Sequence, residues 1–295
     1  MLDKPAGMSS AQAVGRLKYL FASRKAGHAG TLDPLATGCL PIAFGEATKT
    51  VSRLVDARKT YRFSIRWGEE TETLDVEGAV TRSGGRVPGD GEIDAVLGRF
   101  IGEIDQVPPA YSAIHVDGRR AYELARGGEM VELEPRRVEI VALRREGPTA
   151  DGVTPFVCTC GKGTYIRSLA RDIALALSTF GHVAALRREA VGPFGPEGMI
   201  SLEKLEEMRH KGAGQDELAA CIRGLETALD DIPALAVTPE DASRLKSGQA
   251  VLLRGRDAPI VTGPCLVSCR GVPVALGRGE AGSIFPERVF NLPGA

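Results

Sequence analysis

Apolar and polar positions along the chain fall into short patterns whose period changes from segment to segment. Val14, Leu17, Leu20 and Phe21 recur at helical spacing, which predicts a helix capped by Ser9 or Ser10 and ending near Phe21. Val51, Leu54 and Val55 predict a second amphipathic helix within residues 46–57. The period then drops to two: Tyr61, Phe63, Ile65 and Trp67 alternate with Thr60, Arg62, Ser64 and Arg66, a half-buried strand. A short helix at 93–100 and a strand at 138–143 follow. The run TPFVCTCGKGTYIRSLARDIALAL predicts a strand, a tight glycine turn and a helix capped by Thr164, with Ile166, Leu169, Ile173 and Leu177 as its apolar stripe. Beyond residues 230–238 one helix precedes four apolar runs, 250–253, 259–262, 265–268 and 272–276, divided by glycine-rich turns, which predicts a small β-barrel. Two domains are expected, 1–232 and 233–295.

Composition narrows the class. The 295 residues are 43% hydrophobic and 25% charged, ordinary for a globular protein with a sizeable core. No apolar run approaches the roughly 20 residues of a membrane span, and MLDKPAGMSS lacks the regions of an export signal, so a cytoplasmic address is expected. The six cysteines lack metal-ligand spacing and are expected to be reduced, small buried hydrophobes. A net charge of −1 argues against a general nucleic-acid binder, but the distribution is uneven. Residues 1–62 carry ten basic and four acidic side chains, and residues 63–105 carry four basic and ten acidic. This asymmetry permits one basic face for a polyanion without requiring it.

The stretch 27–38, GHAGTLDPLATG, shows neither helical periodicity nor strand alternation. Asp33 before Pro34 has two readings: a helix N-cap with proline at the first helical position, or a carboxylate nucleophile held ionised by a nearby cation. They are compatible, since a cap-like backbone would hold the acid rigid. Arg167 is the candidate cation. It falls in the first turn of a predicted helix, where the macrodipole opposes positive charge by roughly 0.3–1 kcal/mol, a placement that suits an anionic partner. Tyr61 is either a core tyrosine or a ring that stacks on a base with its phenol available for proton transfer. His28, among small residues, suits stacking on or hydrogen bonding to a nucleotide, because no G-x-S-x-G elbow supplies a triad nucleophile. GKGT at 161–164 lacks the full phosphate-loop spacing, and LDPLAT lacks the second aspartate of an aspartyl-phosphate phosphatase.

Seven stretches in order, DKPAGMSS, GHAGTLDPLATGCLPIAFGEATK, RKTYRF, TETLDVEG, QVPPAYSAIHVDGRRAYELARGG, CGKGTYIRSLARDIA and HVAALRR, closely resemble the tRNA pseudouridine-55 synthases of the TruB type. The resemblance spans most of residues 2–190. It implies an α+β catalytic domain with a mixed, largely antiparallel central sheet flanked by helices, plus a small C-terminal PUA-like β-barrel. It further implies Asp33 as the catalytic aspartate, Arg167 as its ion-pair partner and Tyr61 as the ring that stacks on the target base and aids proton removal. His28 matches the histidine that occupies space beside the extruded nucleotides, and Lys4, Tyr165 and Leu186 match supporting positions. An insertion at about 106–130 would grip the T-arm of tRNA. No metal, organic cofactor or protein partner is implied, and a monomer is expected.

Two departures accompany the match. The family has more residues before the Lys-Pro pair, so a trimmed start or a shortened first strand is expected here. His115 stands where lysine is common, weakening one RNA contact at neutral pH. The competing class is a non-catalytic tRNA-binding or tRNA-folding protein on the same fold. A guide-dependent synthase of ribosomal RNA is the alternative within the class, and the PPAYSA…GRRAYELARGG insertion favours the stand-alone form.

Overall fold

The cleanest alternation in the sequence becomes the middle of a sheet. The structure, a computed structural model, describes residues 1–116, 118–129, 131–253 and 259–293. Asp117 and Met130 of the expected gripping insertion, and residues 254–258 and 294–295 of the C-terminal region, lie outside the described residues. The chain divides into two units that interleave along the sequence: Met1–Ala13, Thr31–Leu40 and Val55–Leu202 form one, and Val14–Gly30, Pro41–Leu54 and Glu203–Ala295 form the other.

The first unit is built on eight strands: β1 (Leu2–Lys4), β2 (Thr37–Leu40), β3 (Lys59–Trp67), β4 (Gly102–Gln106), β5 (Arg136–Arg145), β6 (Val153–Cys160), β7 (Gly181–Val191) and β8 (Ile200–Ser201). They form one sheet in the order β8-β1-β2-β7-β3-β6-β5-β4. The β8–β1 and β7–β2 pairings are parallel and the others antiparallel, so the sheet is mixed and largely antiparallel as expected. The first strand is present and short. In β3, Phe63, Ile65 and Trp67 are buried while Arg62 and Arg66 face solvent, the predicted division of faces. Phe63 stacks on Phe156 of β6 with centroids 5.3 Å apart, and the Trp67 indole donates to Thr154 Oγ1 at 2.7 Å.

Gly38 shows why β2 needs a glycine. Its φ is +97°, and a Cβ there would lie 2.2 Å from the Arg188 carbonyl oxygen on β7, so only glycine lets these strands approach.

The longer helices before residue 200 are α1 (Ser10–Leu20), α2 (Asp90–Leu97) and α3 (Ile166–Ala176), of which α1 and α3 carry residues of the site. Ser9 caps α1 reciprocally: its hydroxyl accepts from Gln12 N at 3.2 Å and its amide donates to Gln12 Oε1 at 2.8 Å. On α3 the whole predicted stripe is buried, and the helix lies against β7 and β3. Its N-cap is Tyr165, not the expected Thr164, whose hydroxyl turns back to Gly161 O at 3.2 Å. The expected helix at 46–57 splits into a 3-10 turn, Gly45–Thr50, and a short helix, Val51–Asp56.

The second unit carries a five-stranded sheet of β9 (Ala234–Ala236), β10 (Val251–Leu252), β11 (Gly263–Cys269), β12 (Val272–Glu280) and β13 (Ser283–Val289), in the order β9-β11-β12-β13-β10. Its outermost strands do not pair, so it is a curled, PUA-like half-barrel. A helix, Pro239–Lys246, covers it, capped by Thr238, whose hydroxyl accepts from Asp241 N at 3.1 Å. The apolar run 259–262 is not a strand, whereas β13 forms where no run was counted. Five of the six cysteines are buried and all are free thiols. Among the described residues no helix is long and apolar enough to cross a membrane.

Candidate active site

Asp33 is not a helix cap. No helix follows it; Ala36 N donates to Asp33 O at 3.1 Å, closing a β-turn with aspartate first and proline second. Those are the residues such a turn favours at those places, aspartate by its local hydrogen bonding and proline by its fixed φ. The turn is fastened on both sides. Ser10 Oγ donates to Leu32 O at 3.0 Å and accepts from Leu32 N at 2.8 Å. Pro34 O accepts from Gly7 N at 2.8 Å and from Lys4 Nζ at 3.3 Å. The Lys4 ammonium, fully buried, also donates to Pro5 O at 2.8 Å and Met8 O at 2.6 Å. Burial pulls its pKa down to about 8 against the attraction of Asp33.

Arg167, the second residue of α3, meets this turn. Its Nε donates to Asp33 Oδ2 at 2.9 Å and its Nη2 to Asp33 Oδ1 at 3.1 Å, a bidentate pair between residues 134 positions apart. The Arg167 side chain is 5% exposed and that of Asp33 33%, so the cation is enclosed while the acid opens to solvent. Arg167 also donates to Thr73 O at 2.8 Å and Tyr111 O at 2.9 Å, and its Nε lies 3.5 Å from Asp75 Oδ2. Buried Asp75 is itself held at Oδ1 by Thr73 Oγ1 at 2.6 Å and Glu77 N at 3.0 Å. Two carboxylates and two carbonyls thus oppose the unfavourable dipole of the helix end. The negative cluster is also felt by Glu77, whose carboxyl is raised by desolvation first, then by Asp75 and Asp33.

The α3 start is fixed from outside the helix: Tyr165 N donates to Gln106 Oε1 at 2.8 Å, and Ser168 Oγ to Val107 O at 2.8 Å. Tyr165 is half-buried, and its phenol pKa is raised mainly by burial. Tyr61 is half-buried on β3, directly opposite Arg188 of β7. Burial pushes its phenol up to about 12, and the positive charge of the Arg188 guanidinium pulls the other way. Leu186 is buried on β7 opposite Phe63.

Of the seven expected site residues, Lys4, Asp33, Tyr61, Tyr165, Arg167 and Leu186 all fall in the first unit, and bonds join Asp33 to Arg167 and Lys4 to the Asp33 turn. His28 belongs to the second unit. It ends a short strand, Ala26–His28, paired with Ile42–Phe44, rather than lying in a free loop. Sequence reasoning missed Asp75, Gln106 and Arg188. Asp75 sits in an acidic tract that reads as solvated surface. Arg188 follows another arginine and reads as exposed.

Comparisons with known proteins agree with this architecture. Residues 18–166 match the TruB family pseudouridylate synthase N-terminal domain, and residues 167–230 match the tRNA pseudouridylate synthase B C-terminal domain. The tRNA pseudouridine synthase B of Bradyrhizobium diazoefficiens is 55% identical over 295 residues, all of this chain and 86% of that protein. That of Sinorhizobium medicae is 47% identical, covering 98% of this chain and 94% of the relative. Among solved structures, the crystal structure of a Cbf5-Nop10-Gar1 complex superposes with a TM-score of 0.72 at 26% identity, over 98% of this chain and 83% of that chain. Fold, site and relatives together define an RNA pseudouridine synthase, an isomerase. The chain belongs to the TruB family of pseudouridylate synthases.

Proposed function

We propose that this chain converts the uridine at position 55, in the T-arm of tRNA, to pseudouridine, with Asp33 as nucleophile. The observation that carries this reading is the half-open Asp33 carboxylate, aimed by a buried guanidinium through two bonds, one to each oxygen. The isomerisation breaks the N1 glycosidic bond, turns the base and joins C5 to C1′. C5 loses a proton, N1 gains one, and no electrons leave the substrate. A base in a folded arm is first extruded, at a cost of a few kcal/mol that an aromatic platform offsets. Tyr61 supplies that platform, and its high pKa keeps the phenol protonated at neutral pH. Arg167 orients the acid, Leu186 and Tyr165 line the base, and His28 is assigned to the extruded nucleotides on the family resemblance. The segment 106–130 grips the arm. The enzyme works as a cytoplasmic monomer without metal, cofactor or protein partner.

The deciding experiment uses the purified chain and a synthetic T-arm stem-loop tritiated at uridine C5. Tritium release, with pseudouridine mapped to one uridine, is expected without any added protein. Activity only on full tRNA, or only with accessory proteins, would remove the T-arm or stand-alone part of the reading. No release from any tRNA would remove the reading itself.

Lys4 gives the site a pH dependence. Its folded pKa of about 8 lies below the 10.5 of an ordinary lysine, so between these values the unfolded chain binds more protons. This group therefore makes folding more favourable as pH rises through that window. The charge that holds Pro34 O is nevertheless lost above pH 8. The single-turnover rate should fall with a midpoint near that pH in the wild type without unfolding, and Lys4→Met should be slower throughout and lack that limb. A wild-type rate flat through pH 9 would rule the effect out.

A further inference from the structure

The loop 71–78, TETLDVEG, brings a second carboxylate to the guanidinium that aims Asp33. Arg167 Nε carries a single proton, and two acids lie within reach of it: Asp33 Oδ2 at 2.9 Å and Asp75 Oδ2 at 3.5 Å. The Asp75 and Arg167 side chains are 2% and 5% exposed, so solvent screens their attraction little. Charge-assisted N–H···O bonds close to about 2.7–2.9 Å when nothing restrains them. Asp75 is restrained. Its Oδ1 accepts from Thr73 Oγ1 at 2.6 Å and from Glu77 N at 3.0 Å, and its carbonyl accepts from Thr71 Oγ1 at 2.6 Å. The backbone of the loop is fixed as well. Leu74 sits in the left-handed region at φ +61°, which a leucine keeps only under constraint. Its carbonyl accepts from Val183 N of β7 at 3.0 Å, and its amide donates to Thr71 O at 3.1 Å. Gly78 leaves the Thr73 hydroxyl its space, since a Cβ there would lie 2.4 Å from Thr73 Oγ1.

We propose, on the reading of Asp33 as the nucleophile, that Thr73 is a positioning residue whose hydroxyl holds Asp75 back from Arg167 and so reserves the Nε proton for Asp33. Of the two described donors to Asp75 Oδ1, the Glu77 amide belongs to the backbone, so the Thr73 hydroxyl is the one that a substitution removes. Thr73 O also accepts from Arg167 Nη1 at 2.8 Å. One residue therefore grips both members of the buried pair and sets their separation. Without the hydroxyl, Asp75 closes on Arg167 Nε, and Asp33 loses one of its two bonds and with it its aim.

The test compares full-length Thr73→Ala and Thr73→Ser, which differ only in the hydroxyl, by single-turnover pseudouridine formation at saturating tRNA, tRNA affinity and a crystal structure. Thr73→Ala is expected to slow the step about tenfold with affinity within about twofold, and Thr73→Ser to stay within about twofold of the wild-type rate. In the Thr73→Ala crystal, Asp75 Oδ2 should lie closer to Arg167 Nε than Asp33 Oδ2 does. With Asp75→Asn already in place no second charge competes, so adding Thr73→Ala should cost no more than about twofold. Equal losses with and without the Asp75 carboxylate, the mark of a merely structural threonine, overturn the proposal. So do equal slowing in the serine and alanine variants, a wild-type rate in Thr73→Ala, and an Asp75 that stays in place in the crystal. If Thr73→Ala does not fold, Thr73→Val, which keeps the volume and lacks the hydroxyl, takes its place with the same outcomes. A wild type that makes no pseudouridine defeats the functional reading instead, and the crystal structure then decides alone whether Thr73 restrains Asp75.

Discussion

Asp33→Asn binds tRNA about as well as the wild type and releases essentially no C5 hydrogen: this is the expected result with the largest effect. The substitution preserves shape, and asparagine is as acceptable as aspartate at the first position of the turn. It removes the charge and the attacking oxygen together, and it sets an amide donor against an Arg167 donor where two N–H···O bonds now close. Loss of a nucleophile of this kind costs at least about 10⁴-fold in rate. The carboxylate is one-third exposed, so its loss should leave the melting temperature within a few degrees of wild type. Tritium release and filter binding on the same preparation separate the two effects. Turnover near the wild-type level would exclude Asp33 as the nucleophile.

Arg167→Met should cost both activity and stability. Its guanidinium is enclosed with Asp75, whose side chain is 2% exposed, and removing the cation leaves that buried carboxylate without its ion-pair partner. Breaking a buried pair in this way destabilises by about 3–5 kcal/mol, readable as a lower urea midpoint at unchanged slope. The carbonyls of Thr73 and Tyr111 lose a donor at the same time, so the loops around the acid lose a common anchor. Arg167→Lys should recover part of the stability but little of the rate, because an ammonium cannot supply the fork. A variant with wild-type stability and more than a tenth of the wild-type rate would contradict both roles.

Local pattern was enough for β3 and α3, because one period runs through each and one face is buried. It misled at Asp33 because Asp-Pro suits a helix start and a β-turn for related reasons, and only the strand that begins at Thr37 decides between them. Thr164 failed as a cap because its hydroxyl donates back to Gly161 O in the glycine turn, while Gln106, far away in sequence, holds the Tyr165 amide at the helix start. The pairing of Asp33 with Arg167 was open to the sequence only as a candidate, from a cation set against a helix dipole and from the family resemblance, since nothing in either segment encodes a contact across 134 positions. Asp75 and Arg188 were invisible for a related reason: a charged residue reads as surface until the partner that permits its burial is known.

The turn at Asp33 bears on how reactive its carboxylate can be. A capping carboxylate gives lone pairs to backbone amides, and each such bond drains electron density from the oxygens. Here, among the described residues, both hydrogen bonds to the carboxylate come from one guanidinium, one per oxygen. About half of the roughly four lone-pair lobes of a carboxylate therefore stay uncommitted. Arg167 fixes where the group points, and the lobes left over on the solvent side are open to a sugar carbon without a backbone amide having to be displaced first.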